Sequence, residues 1–278
     1  MLRKEVAGVR KAAAQKRTAL ALATLLKDNR QDSAIACGGA AAMVGLLAPG
    51  WTDAVHEQAA AALGNLCFSN VQNRDSIGEC GGIAALVGLL GPGSSAAVHT
   101  EAAWTLCNLC VDNAQNRDSA RACGGVAALV ALLAPGEPAG APEMAAAALG
   151  NLCFRNAQNR DSVRECGGVA ALVGLLAPGA SAALHEQAAW ALQKVCLHNA
   201  QNAVCMRWCG GIAPLVRLLA PGSSAVVHEP AAAALWTVSF DSNENIRECG
   251  GVAALVRLLA PGGSAALREE AAGALQSL

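Results

Sequence analysis

The chain has 278 residues, of which 54% are hydrophobic but only 3% aromatic, and its formal net charge is -1. A charge this close to balance gives no global field that would attract nucleic acid or an anionic membrane. The longest apolar runs fall well short of the roughly 20 residues that a membrane-spanning helix needs, and no signal-peptide pattern opens the chain. The abundance of Ala and Leu favours helices that pack closely through small side chains.

One sequence pattern returns along the chain at a nearly constant spacing. Gly-Gly pairs begin at Gly38, Gly81, Gly124, Gly167, Gly210 and Gly250, and Pro-Gly pairs keep the same spacing. The interval is 43 residues four times and then 40. A period of this length is typical of stacked helical repeats, in which each unit buries its apolar face against its neighbours. We therefore predict an all-α solenoid that forms a single domain over residues 1–278.

The pattern also predicts where each unit begins and ends. We expect an N-terminal capping helix at 1–28, full repeats at 29–70, 71–113, 114–156, 157–199 and 200–241, and a partial repeat at 242–278. These are called the first to sixth repeats below. Basic residues of the capping helix alternate with apolar ones, which favours a cap that shows its charges to water. A nuclear-targeting or nucleic-acid-binding cluster is the alternative interpretation.

Each full repeat contains signals for three helices. In the second repeat, Asn70 can cap a first helix that Gly81 ends. A second helix from Gly82 to Leu90 stops at a Pro-Gly pair, and a third, longer helix covers about 95–111 with apolar residues at helical spacing. The core-facing residues predicted for that third helix are Val98, Ala102, Leu106, Leu109 and Cys110. The capping residue returns at equivalent positions as Asn113, Asn156 and Asn199.

These residues resemble a known family. The pattern Gly-Gly-Ile-Ala-Ala-Leu-Val-x-Leu-Leu, followed by residues 98–109 with the sequence VHTEAAWTLCNL, is similar to the armadillo repeat of importin alpha and the catenins. The resemblance recurs six times and covers essentially the whole chain. It implies a right-handed superhelix of three-helix repeats, whose third helices line a concave groove that binds extended peptides.

In that family, a Trp and an Asn four residues apart on the third helix face the groove. The Asn holds the backbone of the ligand, and the Trp flanks the stems of its side chains. An amide suits this role because it offers both donors and acceptors to a peptide unit, and residues four apart share a helix face. Trp104 and Asn108 match both positions in the second repeat.

Other repeats match the pair only in part. Asn65 and Asn151 match the Asn, whereas Trp190 matches the Trp but is followed by Lys194 at the Asn position. The fifth repeat has neither residue, although Trp236 lies close to the Trp position. The alternative interpretation is structural, with the Asn side chains capping or cross-linking neighbouring helices and the Trp rings forming part of the repeat core.

The charges along the predicted groove change sign. Glu101 and Asp112 lie in the second repeat, whereas Arg155, Lys194 and His198 come later. We therefore expect a mixed-charge or acidic peptide, with basic cargo of the importin alpha type as an alternative. The predicted peptide-binding residues are Asn65, Asn108, Asn151, Trp104, Trp190, Lys194, Glu101, Arg155 and Trp236.

The remaining chemistry-bearing residues follow the repeat. Most of the 12 cysteines recur at the 43-residue spacing, which predicts small buried residues in a reducing, cytoplasmic or nuclear compartment and neither disulfides nor zinc sites. Histidines in equivalent positions of stacked repeats are too far apart to share a metal ion. The recurring Arg-Asp-Ser words at Arg74, Arg117 and Arg160 suit a solvated first helix. We expect no cofactor and no enzymatic activity.

Two alternatives to a peptide-binding adaptor remain open. The apolar residues Ala271, Ala274, Leu275 and Leu278 predict an uncapped C-terminal edge, which would favour a homo-oligomer, a structural array or a fragment of a longer protein. The near-identity of the repeats also fits a reconstructed or consensus-like engineered array that has no native ligand.

Overall fold

A computed structural model describes residues 39–138, 140–260 and 262–278. Every regular element in these ranges is an α-helix, which confirms the all-α fold class, while the predicted capping helix at 1–28 lies outside the described residues. The chain divides into two compact units, one ending at Leu132 and the other beginning at Leu133. The predicted repeat boundaries and the right-handed superhelix stay predictions.

The N-terminal unit contains the helices of the first two repeats and the beginning of the third. Its helices are α1 (Gly39–Gly45), α2 (Asp53–Cys67), α3 (Val71–Glu79), α4 (Gly82–Leu89), α5 (Ala96–Cys110), α6 (Ala114–Ala122) and α7 (Gly125–Ala131). In the second repeat these bounds agree with the three helices that the sequence predicts. All five core-facing residues predicted for the third helix are fully or almost fully buried.

The C-terminal unit continues the same three-helix order. Its helices are α8 (Gly140–Cys153), α9 (Ala157–Glu165), α10 (Gly168–Gly174), α11 (Ala182–Cys196), α12 (Ala200–Trp208), α13 (Ile212–Leu218), α14 (Ala225–Glu248), α15 (Gly251–Leu258) and α16 (Ala265–Gln276). Helix α14 joins the third helix of the fifth repeat to the first helix of the sixth across a kink at Ser242. The third helices of the third to sixth repeats are therefore α8, α11, the first part of α14 and α16.

The predicted Asn caps are confirmed. The Asn70 side chain accepts a hydrogen bond of 3.0 Å from the Asn73 backbone N–H, and Asn113, Asn156 and Asn199 cap α6, α9 and α12 in the same way. Such a bond satisfies one of the N–H groups that a helix leaves unpaired at its start. Two caps also reach the preceding first helix, since the Asn113 and Asn199 amides donate to Asp75 and Asp161 at 2.7 and 2.9 Å.

The Gly-Gly pair serves two different needs. Gly81 has a φ of +81°, a left-handed conformation that glycine adopts without strain, and it separates the first helix from the second. A Cβ on Gly82 would lie 2.6 Å from the Ile77 side chain, so the second glycine lets the two helices approach closely. The same division holds at Gly124 and Gly125.

The prediction that the Arg-Asp-Ser words lie on a solvated helix face is wrong for the arginines. Arg74, Arg117 and Arg160 expose only 6%, 6% and 7% of their surface. Arg74 donates to the backbone carbonyls of Cys67, Phe68 and Val111 at 3.0, 3.2 and 3.2 Å. The cause is that a helix ends with unpaired carbonyls and a partial negative charge, which a guanidinium group satisfies. The arginine of each polar Arg-Asp-Ser segment is therefore a buried structural residue.

The prediction for the cysteines is correct for one of their two positions. Cys67, Cys110, Cys153 and Cys196 on the third helices are buried, and burial raises the pKa of Cys67 and Cys153 to about 12. The cysteines before the Gly-Gly pairs are instead exposed, namely Cys80, Cys123, Cys166, Cys209 and Cys249. Each of them is the C-cap residue that follows the last turn of a first helix.

The recurring histidines hold the turns before the third helices. The Nε2 atoms of His56, His99 and His185 lie 3.2, 3.2 and 3.0 Å from the carbonyl oxygen of the residue eight positions earlier. These bonds tie each Pro-Gly turn to the helix that follows it. The equivalent His228 Nε2 is buried without a hydrogen-bond partner among the described residues.

The predicted apolar C-terminal edge is only partly correct. Ala271 and Ala274 are fully buried inside the C-terminal unit, whereas Leu275 and Leu278 are half-buried. The exposed apolar residues of the sixth repeat lie instead on its second helix, at Val252, Val256 and Leu259. The difference arises because small side chains on α16 pack directly against α14, as the contact of Gly273 with Trp236 illustrates.

Candidate peptide-binding surface

The N-terminal unit brings together the predicted Trp and Asn of the second repeat. The Trp104 ring packs on Gly64 of the preceding third helix so closely that a Cβ at Gly64 would collide with it. Beside this contact, the Thr105 hydroxyl donates to the Ala60 carbonyl at 2.8 Å. Trp104 is still half-exposed, so its ring both fills the boundary between two repeats and remains available to a ligand.

The two Asn residues of this unit differ in environment. Asn108 is only 7% exposed, and its Nδ2 atom has no hydrogen-bond acceptor among the described residues. Asn65 is exposed and donates to the Ala61 carbonyl of its own helix at 3.0 Å. Neither amide donates to a neighbouring helix in these contacts. The Asn108 side chain therefore has an unpaired N–H donor, one helical turn from the half-exposed Trp104 ring.

Glu101 places a carboxylate one turn before Trp104 on α5. It is half-buried, and burial raises its pKa above the ordinary value, with the nearby Glu57 carboxylate adding to the shift. A cation that approached Glu101 would relieve both effects. Glu101 therefore places a half-buried carboxylate beside Glu57, one turn from Trp104.

The C-terminal unit holds the remaining predicted residues. The Trp190 ring packs on Gly150 of the preceding third helix, again with no room for a Cβ on the glycine. Asn151, next to that glycine, is half-buried. Trp236 makes the same kind of contact in the reverse direction, because its ring covers Gly273 on the following third helix, 2.5 Å from an added Cβ. The structural interpretation of the Trp rings is thus correct in part.

A cationic cluster lies beside the Trp190 ring. The Lys194 Nζ atom lies 5.6 Å from the Trp190 ring and 5.9 Å from the Phe154 ring. The Arg155 guanidinium lies 5.3 Å from the same Phe154 ring. These distances are within the range of cation–π attraction. Phe154, which the sequence analysis did not select, is the platform that places the two positive charges together.

The positive charge of Lys194 is only partly balanced by the nearby Glu270 carboxylate. Burial lowers its pKa, and the Glu270 carboxylate opposes that shift. Burial raises the pKa of Glu270 itself, and its Oε2 atom has no hydrogen-bond partner among the described residues. Arg155 is exposed and has a positive φ of 52°, two residues after the end of α8. The C-terminal unit therefore carries two cations, of which Lys194 lies near Glu270, whose pKa the Glu229 and Glu269 carboxylates raise further.

The described parts of the chain contain no group of three or more His, Cys, Asp or Glu side chains placed to bind a metal. Over the same residues, no helix combines the length and apolar character needed to cross a membrane.

A repeat-family model and several solved structures match this chain. The Armadillo/beta-catenin-like repeat model matches residues 70–111, 156–197 and 244–278. No curated protein matches the chain significantly.

Solved structures with this fold include engineered proteins. One covers 86% of this chain and 96% of its own, with 27% identity and a TM-score of 0.79. A second covers 94% of this chain and 64% of its own, with 28% identity and a TM-score of 0.85. A designed armadillo repeat protein has 25% identity, a TM-score of 0.77 and coverages of 86% and 99%. The family model and these structures agree on the fold, and the described residues have the fold of an armadillo repeat solenoid.

Proposed function

We propose that this chain is a non-enzymatic adaptor that binds an extended peptide along the third helices of its repeats. The observation that carries the proposal is the Asn108 amide, whose Nδ2 has no acceptor among the described residues although it lies beside the half-exposed Trp104. A buried donor without a partner costs stability. Such a cost is understandable where a ligand carbonyl supplies the missing acceptor.

The equivalent Asn positions extend the proposal along the chain. Asn65 and Asn151 hold the same place in the first and third repeats that Asn108 holds in the second. Each amide can pair with both groups of a peptide unit, and an extended ligand presents such units at regular intervals. Trp104 on the N-terminal unit and Trp190 on the C-terminal unit would each contact ligand side chains, as indole rings do at many interfaces.

Charge makes the proposal more specific. Arg155 and Lys194, held together on Phe154, favour an acidic residue in the part of the peptide that lies on the C-terminal unit. Glu101 favours a basic residue in the part that lies on the N-terminal unit. We therefore propose a mixed-charge ligand over a uniformly basic one of the import-cargo type, which the two cations would repel.

A fluorescence-polarisation screen of labelled peptides against the intact chain tests the adaptor function. Asn65, Asn108 and Asn151 changed together to Ala should abolish binding while the helical signal and melting temperature persist. Because the Asn108 donor has no partner, the Asn108→Ala change alone should leave stability unchanged or slightly higher. Loss of melting temperature together with binding would make these residues part of the architecture and contradict the proposal.

A second screen tests the charge preference. Changing both Arg155 and Lys194 to Glu should shift the selected peptides from acidic toward basic residues in the segment that lies on the C-terminal unit. Arg164→Glu is the matched control, because Arg164 lies on a first helix beside Asp161 and Glu165. Unchanged selection by the double variant would contradict the mixed-charge ligand but not the adaptor function.

A further inference from the structure

A cavity of about 620 Å³ lies in the C-terminal unit, at the ends of the third helices of the fourth and fifth repeats. Its lining is mainly apolar and includes no Asp, Glu, Lys or Arg. The lining residues are Gln193, Cys196, Leu197, His198, Asn199, Ala200, Ala203, Trp236, Thr237 and Phe240. This volume falls within the range of sites that bind small molecules or single side chains.

The cavity coincides with a departure from the repeat. Ala203 on α12 is one period after Arg160, and it stands where the second, third and fourth repeats have Arg74, Arg117 and Arg160. Each of those arginines is buried and donates to the carbonyl of the cysteine that ends the preceding third helix, at Cys67, Cys110 and Cys153. The fifth repeat lacks this side chain.

The residues around the cavity match the partners of the missing arginine. Cys196, the equivalent of Cys67, lines the cavity together with Leu197, the equivalent of Phe68. Arg74 also donates to Val111, whose equivalent in the fifth repeat is Phe240, and Arg160 donates to Lys194, whose equivalent is Thr237. Both equivalents line the same cavity. The cavity therefore lies where the missing guanidinium group would be, with the end of α11 on one side and Thr237 and Phe240, which lie within α14, on the other.

The site has the chemistry to attract such a group from outside. Carbonyl oxygens at a helix C-terminus carry partial negative charge, and Arg74 shows that backbone carbonyls alone can hold a guanidinium in this place. The rings of Trp236 and Phe240 add aromatic faces, over which a guanidinium stacks favourably. Phe240 is 76% exposed, so the cavity is open to solvent on that side.

We propose that this cavity binds the side chain of an arginine that a partner polypeptide presents. The guest takes the place that Arg74, Arg117 and Arg160 occupy in their own repeats. A planar guanidinium can donate to several carbonyls at fixed angles, whereas an ammonium group cannot reproduce that geometry. The proposal rests on a substitution in a first helix and not on the Asn positions of the third helices, although the cavity shares Trp236 and His198 with the predicted groove.

Titration of the intact chain with N-acetyl-L-argininamide tests the proposal, with N-acetyl-L-lysinamide as the matched probe. Calorimetry or ligand-observed NMR should give a dissociation constant on the order of 1 mM for the arginine probe, and binding at least about tenfold weaker for the lysine probe. Equal binding of the two probes would overturn the proposal. Changing Asn65, Asn108 and Asn151 to Ala should leave this titration unchanged, which separates it from the groove.

Two variants locate the binding. Ala203→Arg supplies the side chain from within, so it should raise the melting temperature and abolish binding of the arginine probe. Phe240→Ala removes an exposed ring and should weaken binding about threefold to tenfold. Its control is Phe68→Ala, which removes an exposed ring at the equivalent position of the first repeat. Phe68 lies beside Arg74 of the second repeat, so binding should not change. Unaltered binding by Phe240→Ala would overturn the proposal even if Ala203→Arg did not fold.

Discussion

The fourth and fifth repeats have the same helices but differ in the large side chains packed between them. In the fourth repeat, Arg160 satisfies the carbonyls of Cys153 and Lys194, and the Trp190 ring covers Gly150. In the fifth repeat the two positions are Ala203 and Ala233, and a cavity lies beside Ala203. The helices form in both cases because caps, glycines and small apolar residues are retained. A few large side chains therefore decide whether a repeat is fully packed or contains a cavity.

The largest loss of stability should come from removing the Arg160 side chain, which would leave the fourth repeat without its buried arginine, as in the fifth. Arg160→Ala removes bonds of 3.2 Å to two backbone carbonyls from a site that is only 7% exposed. Chemical denaturation should show a loss of about 3 kcal/mol or more, because bonds from a charged donor are lost and the carbonyls stay buried. N-acetyl-L-argininamide should restore part of the melting temperature.

The control for that change is Arg164→Ala, one turn along the same helix. Arg164 makes surface ion pairs of 3.8 and 3.7 Å with Asp161 and Glu165, which contribute at most about 1 kcal/mol. Similar losses in the two variants would show that the buried arginines do not close the repeat.

The next largest effect concerns the ring-on-glycine contact. Gly150→Ala places a Cβ where the Trp190 ring lies, and overpacking of this kind should cost about 1 to 3 kcal/mol. Gly174→Ala is the comparison, because nothing lies within 4 Å of a Cβ there, and in a helix it should be neutral or stabilising. If Trp190→Ala relieves the cost of Gly150→Ala, the two residues are energetically coupled.

A smaller effect separates a working helix cap from one that makes no bond. The Asn199 side chain accepts from the Asn202 N–H at 3.0 Å and donates to Asp161 at 2.9 Å, so Asn199→Ala should cost about 1 to 2 kcal/mol. Ser242, one period later, has a buried hydroxyl without a partner among the described residues. Ser242→Ala should therefore change the melting temperature little or raise it. A large loss from Ser242→Ala would contradict this distinction.

The smallest effect is a pH dependence in the N-terminal unit. Burial raises the folded-state pKa of Glu101, so its contribution to stability is complete below its unfolded pKa and is lost as pH rises through the folded pKa. Glu101→Gln should accordingly melt slightly higher than the parent chain near pH 7, and the difference should vanish near about pH 3. Thermal melts across this range would contradict the assignment if the difference were constant.

The sequence by itself determined the repeat and its helices. Glycine, proline and Asn act through local backbone preferences, so the helices of the second repeat and the caps at Asn70, Asn113, Asn156 and Asn199 could be predicted from single positions. The family resemblance then identified Trp104 and Asn108 as a pair on one helix face. These features depend on residues close together in the chain.

Tertiary structure decided which side chains meet across repeats. Arg74 was expected on a solvated face, yet it is buried, and one of the carbonyls that it binds belongs to Val111, 37 residues along the chain. Phe154, Gly64 and Gly150 gained their roles only from rings and cations on the following third helix. The importance of Ala203 likewise became clear only from the cavity that it lines. The physical reason is that packing depends on pairs of residues about one period apart, which no local preference encodes.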